Sequence, residues 1–168
     1  VKPLGLATLA ASDPVAVQAY FKNAGQLQTI LQASARYVET QIESIETIKP
    51  QVLSTKEAAE YLKVLRSLEV QFQDLALAFD GDQTRASRAE FVQAGLLGRL
   101  RRALRSQYNS SGPTKTHLEN YQIVKETFGD VHQKLKSTDN DLGKLKEDLK
   151  KAGIMWPASP DLPDWSGQ

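Results

Sequence analysis

The 168-residue chain has no cysteine, which excludes disulfides and thiolate metal sites. That absence leaves the redox compartment open, because a helical core needs no covalent staple. Aromatic residues make up only 7% of the chain, and Phe91 alone falls among the arginines of residues 85–105, so the stacking platform of a single-strand nucleic-acid binder is missing. Charge of either sign is not in excess: the formal net charge is +1, so nothing global draws the chain to nucleic acid or to an anionic bilayer. No apolar run approaches the roughly 20 residues of a membrane-spanning helix, so membrane insertion is not expected. The two histidines, His117 and His132, are too far apart for one helical metal site, and neither an HExxH nor a Glu-x-x-His pair occurs. His132 falls beside a core position and reads as a residue flanking the seam. No periodic stripe brings two carboxylates to one pocket, as acid–base chemistry requires. No metal, no cofactor and no active site are therefore expected in this chain.

What the sequence does have is apolar periodicity. Over residues 117–152, Tyr121, Phe128, Leu135, Leu142 and Leu149 recur every seven positions, and Val124, Val131, Thr138, Leu145 and Ala152 form the neighbouring stripe. This is the a/d seam of a helix packed lengthwise on others. At 1.5 Å per residue it runs about 54 Å, which makes the molecule elongated.

Three more helices are expected. The first opens at Asp13-Pro14, a capping carboxylate followed by proline at the first helical position. It carries Val17, Ala24, Leu31, Val38 and Ile45, and it is expected to stop at Pro50. The other helix starts are read from capping boxes at Ser54-x-x-Glu57, Ser87-x-x-Glu90 and Thr116-x-x-Glu119. The second helix bears Ala58, Tyr61, Leu65, Leu68, Phe72, Leu75 and Phe79, and Asp80-Gly81-Asp82 turns the chain after it. The third directs Val92, Leu97, Leu100, Leu104 and Tyr108 inward, despite Gly95 and Gly98. A turn at 109–113 leads to the last helix, which ends at Gly153 in a C′ position, with Leu149 and Ile154 spaced for the accompanying contact.

Short connections make successive helices antiparallel neighbours. The expected fold is all-α, an elongated up-down-up-down four-helix bundle over residues 13–153. Residues 154–168, with Pro157, Pro160, Pro163, Trp156 and Trp165, form an extended C-terminal strap. Trp156 is expected at the end of the bundle and Trp165 further out. The chain opens at Val1 without methionine, as a processed or excised chain would, and residues 1–12 read as a linker or edge segment of a preceding domain. Four matched stripes can satisfy one another, so a monomer is expected.

One charge feature stands out. Residues 85–105 hold Arg85, Arg88, Arg99, Arg101, Arg102 and Arg105 against Glu90 alone, a local charge of +5. Arg99, Arg102 and Arg105 step along one side of the third helix. Three uses are open to them: a solvated face, pairing with Glu39, Glu43 and Glu46 of the first helix, or docking to an acidic partner. Candidate partner-docking residues are Arg99, Arg102, Arg105, Trp156 and Trp165.

Four stretches together resemble a known arrangement: Gly81-Asp82-Gln83-Thr84-Arg85, Leu97-Gly98-Arg99-Leu100, Ser111-Gly112-Pro113-Thr114-Lys115-Thr116-His117, and Asp141-Leu142 followed by Leu145, Leu149, Ala152-Gly153 and Trp156. In that order they are similar to the helical region that follows the β-propeller in sortilin-like proteins with BNR-type repeats, often labelled glycosyl hydrolases. The resemblance spans residues 13–165. It departs after Trp156, where Pro157-Ala158-Ser159-Pro160-Asp161 replaces the family's TPGR-like segment. It implies a non-catalytic helical accessory domain of a larger, exported (periplasmic or secreted) protein, with the preceding propeller or another protein as partner. Any glycosidase activity would reside in the propeller. The alternative reading is a free-standing four-helix module that binds a ligand or oligomerises.

Overall fold

A computed structural model describes residues 13–105 and 112–165. The expected linker at 1–12, Tyr108, most of the turn at 109–113 and the last three residues lie outside the described residues. The described chain is all-helical. Its order is α1 (Pro14–Val52), α2 (Ala58–Asp80), α3 (Gln83–Ser87), α4 (Leu96–Ala103) and α5 (Lys115–Lys151).

Helix α1 starts as its sequence dictates. The Asp13 carboxylate accepts from the amides of Val15 and Ala16, both at 3.0 Å, and Pro14 occupies the first turn. It does not stop at Pro50. The proline sits in the last turn, where one missing N–H costs little, and the Leu53 amide still closes on the Lys49 carbonyl at 3.1 Å. The capping box at Ser54 does not form. The Ser54 and Thr55 amides bond back to Gln51 and Val52, so this stretch serves to leave α1, and α2 begins at Ala58 with no side-chain cap. The box expected at Thr116 sits two residues earlier, where the Thr114 N–H donates to Nδ1 of His117 at 3.1 Å.

The expected third helix is broken. Asp82 caps the short α3 through the Arg85 amide at 2.9 Å. The Ser87 hydroxyl, expected to open a helix, donates back to the Thr84 carbonyl, while the Glu90 carboxylate pairs with Arg85 at 2.8 Å. Both halves of that capping box are thus engaged elsewhere. Residues 88–95 cross the end of α2 without helix, and α4 starts only after Gly95. A β-carbon on Gly95 would lie 2.5 Å from both the Gly81 nitrogen and the Phe79 carbonyl oxygen, so the two backbones meet where only glycine fits. Val92 is half-buried on this segment, and Leu100 and Leu104 are buried as expected.

Helix α5 keeps its seam. Phe128, Leu135, Leu142 and Leu149 are fully buried with Val124, Val131 and Leu145, while Tyr121 is half-buried and Ala152 lies exposed beyond the helix end. Thr138, the polar member of the stripe, donates to Oε1 of Gln71 at 3.1 Å, which satisfies its hydroxyl. The helix ends in a Schellman motif: Gly153 has φ 82°, the Ile154 amide reaches the Leu149 carbonyl at 2.9 Å, and the Gly153 amide reaches Lys150 at 3.1 Å.

The core joins Leu31, Val38, Ile45 and Ile48 of α1 with Leu65, Leu68, Phe72 and Phe79 of α2, Leu100 of α4 and the α5 seam. Each such side chain contributes about 1.5–3 kcal/mol on burial. Helix α1 packs mainly on α2, and α5 packs on α4 and α2, while α1 and α5 approach each other sparingly. Residues 154–165, which adopt neither helix nor strand, run back along that α1/α5 side. No helix among the described residues is long and apolar enough to cross a membrane.

Candidate interaction site

Helix α4 buries Leu96, Leu100 and Ala103 and turns its arginines away from them. Arg99 is half-buried on the wall of a groove, and Arg101, Arg102 and Arg105 are exposed. Among the described residues none of these four has a carboxylate within ion-pair distance. The pairing with Glu39, Glu43 and Glu46 does not occur, because α4 lies against the other half of α1. There Gln28 and Gln32 adjoin Leu97, Leu100 and Arg101, and the Tyr20 hydroxyl donates to the Ala103 carbonyl at 2.9 Å. Glu46 is held instead by Lys49 at 2.7 Å. Burial pushes the Tyr20 phenol up to about 12, with Tyr121 adding to the rise, so it remains a donor at any ordinary pH.

The groove beside Arg99 encloses about 550 Å³ between α2, residues 88–95 and α5. Its apolar lining is Leu77, Phe91, Val92 and Ile123, and its polar lining includes Arg85, Arg99, Asp74 and Asp82. Phe91 is 92% exposed, Leu77 52% and Ile123 43%. Sequence reasoning missed these three. The available signal was that Leu77 and Ile123 fall off the apolar stripes of their helices, next to positions that are filled. Phe91 was hidden inside a helix that does not form.

The two tryptophans lie elsewhere and are used internally. Nε1 of Trp156 donates to Oε1 of the buried Gln41 at 3.2 Å, and the Lys146 ammonium stands 5.4 Å from its ring. Burial lowers the Lys146 pKa, while Asp139 and Asp161 oppose that shift. The neighbouring Tyr37 hydroxyl donates to Asp139, and burial followed by that bond raises the phenol far above its usual range. Trp165 is not peripheral. Its ring packs 4.9 Å from Phe128 and 5.8 Å from His132, over Gly129, whose missing side chain leaves the space. His132 itself is 3% exposed, and neither ring nitrogen has a hydrogen-bond partner. Burial, then Lys136, lowers its pKa, and Asp164 opposes them, so the ring is neutral near pH 7.

The sole buried carboxylate among the described residues is Glu69, held by Lys49 at 3.0 Å and Arg66 at 2.9 Å. The Lys49 hydrogen bond leads in lowering its pKa. Among the described residues no three His, Asp or Glu side chains converge closely enough to hold a metal ion. The chain matches no protein-family model, and neither a curated protein nor a solved structure matches it.

Proposed function

We propose that this chain is a non-catalytic helical accessory domain of a larger exported protein, positioned after a β-propeller of the sortilin-like, BNR-repeat kind and serving packing or protein–protein interaction. In this reading α1, α2, the α3–α4 region and α5 make a monomeric up-down-up-down four-helix bundle, strapped by the Pro/Trp tail. The observation that carries it is the structural use of the resembling motifs. Gly81 takes φ 77°, Asp82 caps the turn that follows, and Gly95, just ahead of the Leu97-Gly98-Arg99-Leu100 stretch, closes on Gly81. Gly112 takes φ 76° ahead of the Thr114 cap, Gly153 ends the last helix, and Trp156 beyond it donates to Gln41 of α1. Motif residues that turn the chain and cap its helices suit a structural role in an accessory domain.

The alternative, a free-standing ligand-binding or oligomerisation module, needs polar groups converging on one internal cavity. The buried polar side chains Ser34, Gln41, Ser44, Glu69, His132 and Thr138 are instead spread over three helices. The test is to read the coding region upstream of Val1. A succession of short strands rich in Ser, Thr, Asp and Gly is expected there. Another helical domain in that place would overturn the propeller reading.

A further inference from the structure

We propose that the C-terminal strap is a pH-sensitive latch: its far end, with Trp165, leaves α5 when His132 takes up a proton, while the helices stay folded. The proposal goes beyond the accessory-domain reading and does not rest on it. Three observations carry it.

The first is the setting of His132. The ring is 3% exposed, and neither nitrogen has a hydrogen-bond partner. Phe128 packs 5.4 Å from it, and Trp165 covers it edge to face at 5.8 Å. A neutral imidazole carries one N–H donor, whereas an imidazolium carries two donors and a charge. Under the strap that cation is shut from solvent and has no acceptor among the described residues, so the covered site suits only the neutral ring. With the strap lifted, the ring meets solvent. By linkage, the factor that separates the proton affinities of the open and the covered ring is the factor by which protonation favours release.

The second is the charge around the ring. Lys136, one turn along α5, opposes a second positive charge, and Asp164 of the strap favours it. These two pair with each other at 3.4 Å, so the carboxylate is already shared. The α1 side of the slot, with Asn23, Gln26, Leu27, Thr29 and Ile30, carries no charge. Helix α2 meets the same Phe128 through Phe79, at 6.3 Å. Burial leads Lys136 in lowering the imidazole pKa, and the Trp165 ring is part of the cover.

The third is how the strap is held. Among the described residues no backbone hydrogen bond joins residues 155–165 to a helix. The attachments are side-chain contacts: Nε1 of Trp156 on Gln41, Leu162 against the core, Trp165 over Gly129, and the Lys136–Asp164 pair. That ion pair is exposed and contributes little. Lifting the far end therefore breaks no backbone ladder, and Trp165 is the contact that His132 controls. The helices do not need the strap to find their partners, because α1 packs on α2, and α5 packs on α2 and α4.

The test follows acrylamide quenching of Trp165 in Trp156→Phe, where it is the sole indole, with far-ultraviolet circular dichroism at each pH. Quenching is expected to rise about threefold, with red-shifted emission, as pH falls from about 7 to about 5, at constant helical signal. His132→Leu is expected to hold quenching at its neutral-pH level throughout. Quenching that ignores pH, an equal rise in His132→Leu, or a rise that accompanies loss of helix would each overturn the proposal. A second measurement covers the case in which His132→Leu does not fold. The His132 ring proton is titrated by nuclear magnetic resonance in the parent and in Trp165→Ala. Its midpoint is expected to lie closer to the ordinary 6.5 once the indole is gone. The same midpoint in both proteins would show that the strap does not control this proton, and the latch would be overturned.

Discussion

The indole of Trp165 covers the imidazole of His132, ring centroids 5.8 Å apart, and that imidazole has no hydrogen-bond partner on either nitrogen. The tail thus closes over a titratable group held neutral. The charged groups facing it are Lys136 on its own helix and Asp164 on the tail, themselves paired at 3.4 Å.

A pH dependence follows. The folded-state pKa of His132 lies below its ordinary value of 6.5, so the unfolded chain takes up the proton first. Stability from this group is present above about pH 6.5 and is lost as pH falls toward the folded-state value. Glu69, also depressed, titrates only in the carboxylate range lower down. Urea midpoints should therefore decline between about pH 7 and pH 5 in the parent, and His132→Leu should flatten that decline. An equal slope in both proteins would show that His132 is not the group responsible.

Trp165→Ala removes the cover. Because the ring is half-buried, the expected loss is about 1–3 kcal/mol by chemical denaturation, below the full cost of a buried tryptophan. Trp156→Ala should cost a similar amount, since it strips the partner from the buried Gln41 amide oxygen. Truncation after residue 160 should match Trp165→Ala or exceed it. A harmless truncation would mean that the tail does not hold α1 to α5.

Leu135 is fully buried at the middle of the α5 seam. Leu135→Ala should cost about 2–5 kcal/mol. A loss under about 1 kcal/mol in urea unfolding would place the stripe in solvent.

Two glycines should respond in opposite directions. Gly95→Ala forces a methyl into the Gly81 and Phe79 backbone and should destabilise by about 1–3 kcal/mol. Gly143, inside α5 with nothing within 4 Å of an added β-carbon, should gain about 0.5–1 kcal/mol on conversion to alanine. Thermal melts of the two variants decide the matter by sign alone.

Local rules were readable where local physics decides. The Asp13 cap, the α5 heptad and the Gly153 terminus involve neighbours within a turn or a periodic stripe, and each could be read from residue order. The region after α2 could not be read that way. Ser87-x-x-Glu90 fits a capping box, but the hydroxyl bonds Thr84, three residues back, and the carboxylate finds Arg85, five residues back. Gly95 looked like a weak helical residue because its contact with Gly81 is tertiary. Trp165 looked peripheral because its seat depends on Gly129, a gap in the surface of α5 distant in sequence. The candidate groove was hidden for the same reason: Phe91, Leu77 and Ile123 are unremarkable until the chain brings them together.

The proposal of an accessory helical domain beside a propeller is tested most directly by far-ultraviolet circular dichroism of the product of the full coding region minus that of residues 1–168. The account predicts a difference spectrum of β-sheet character and an unchanged helical contribution from this chain. A difference spectrum that is itself helical would contradict it.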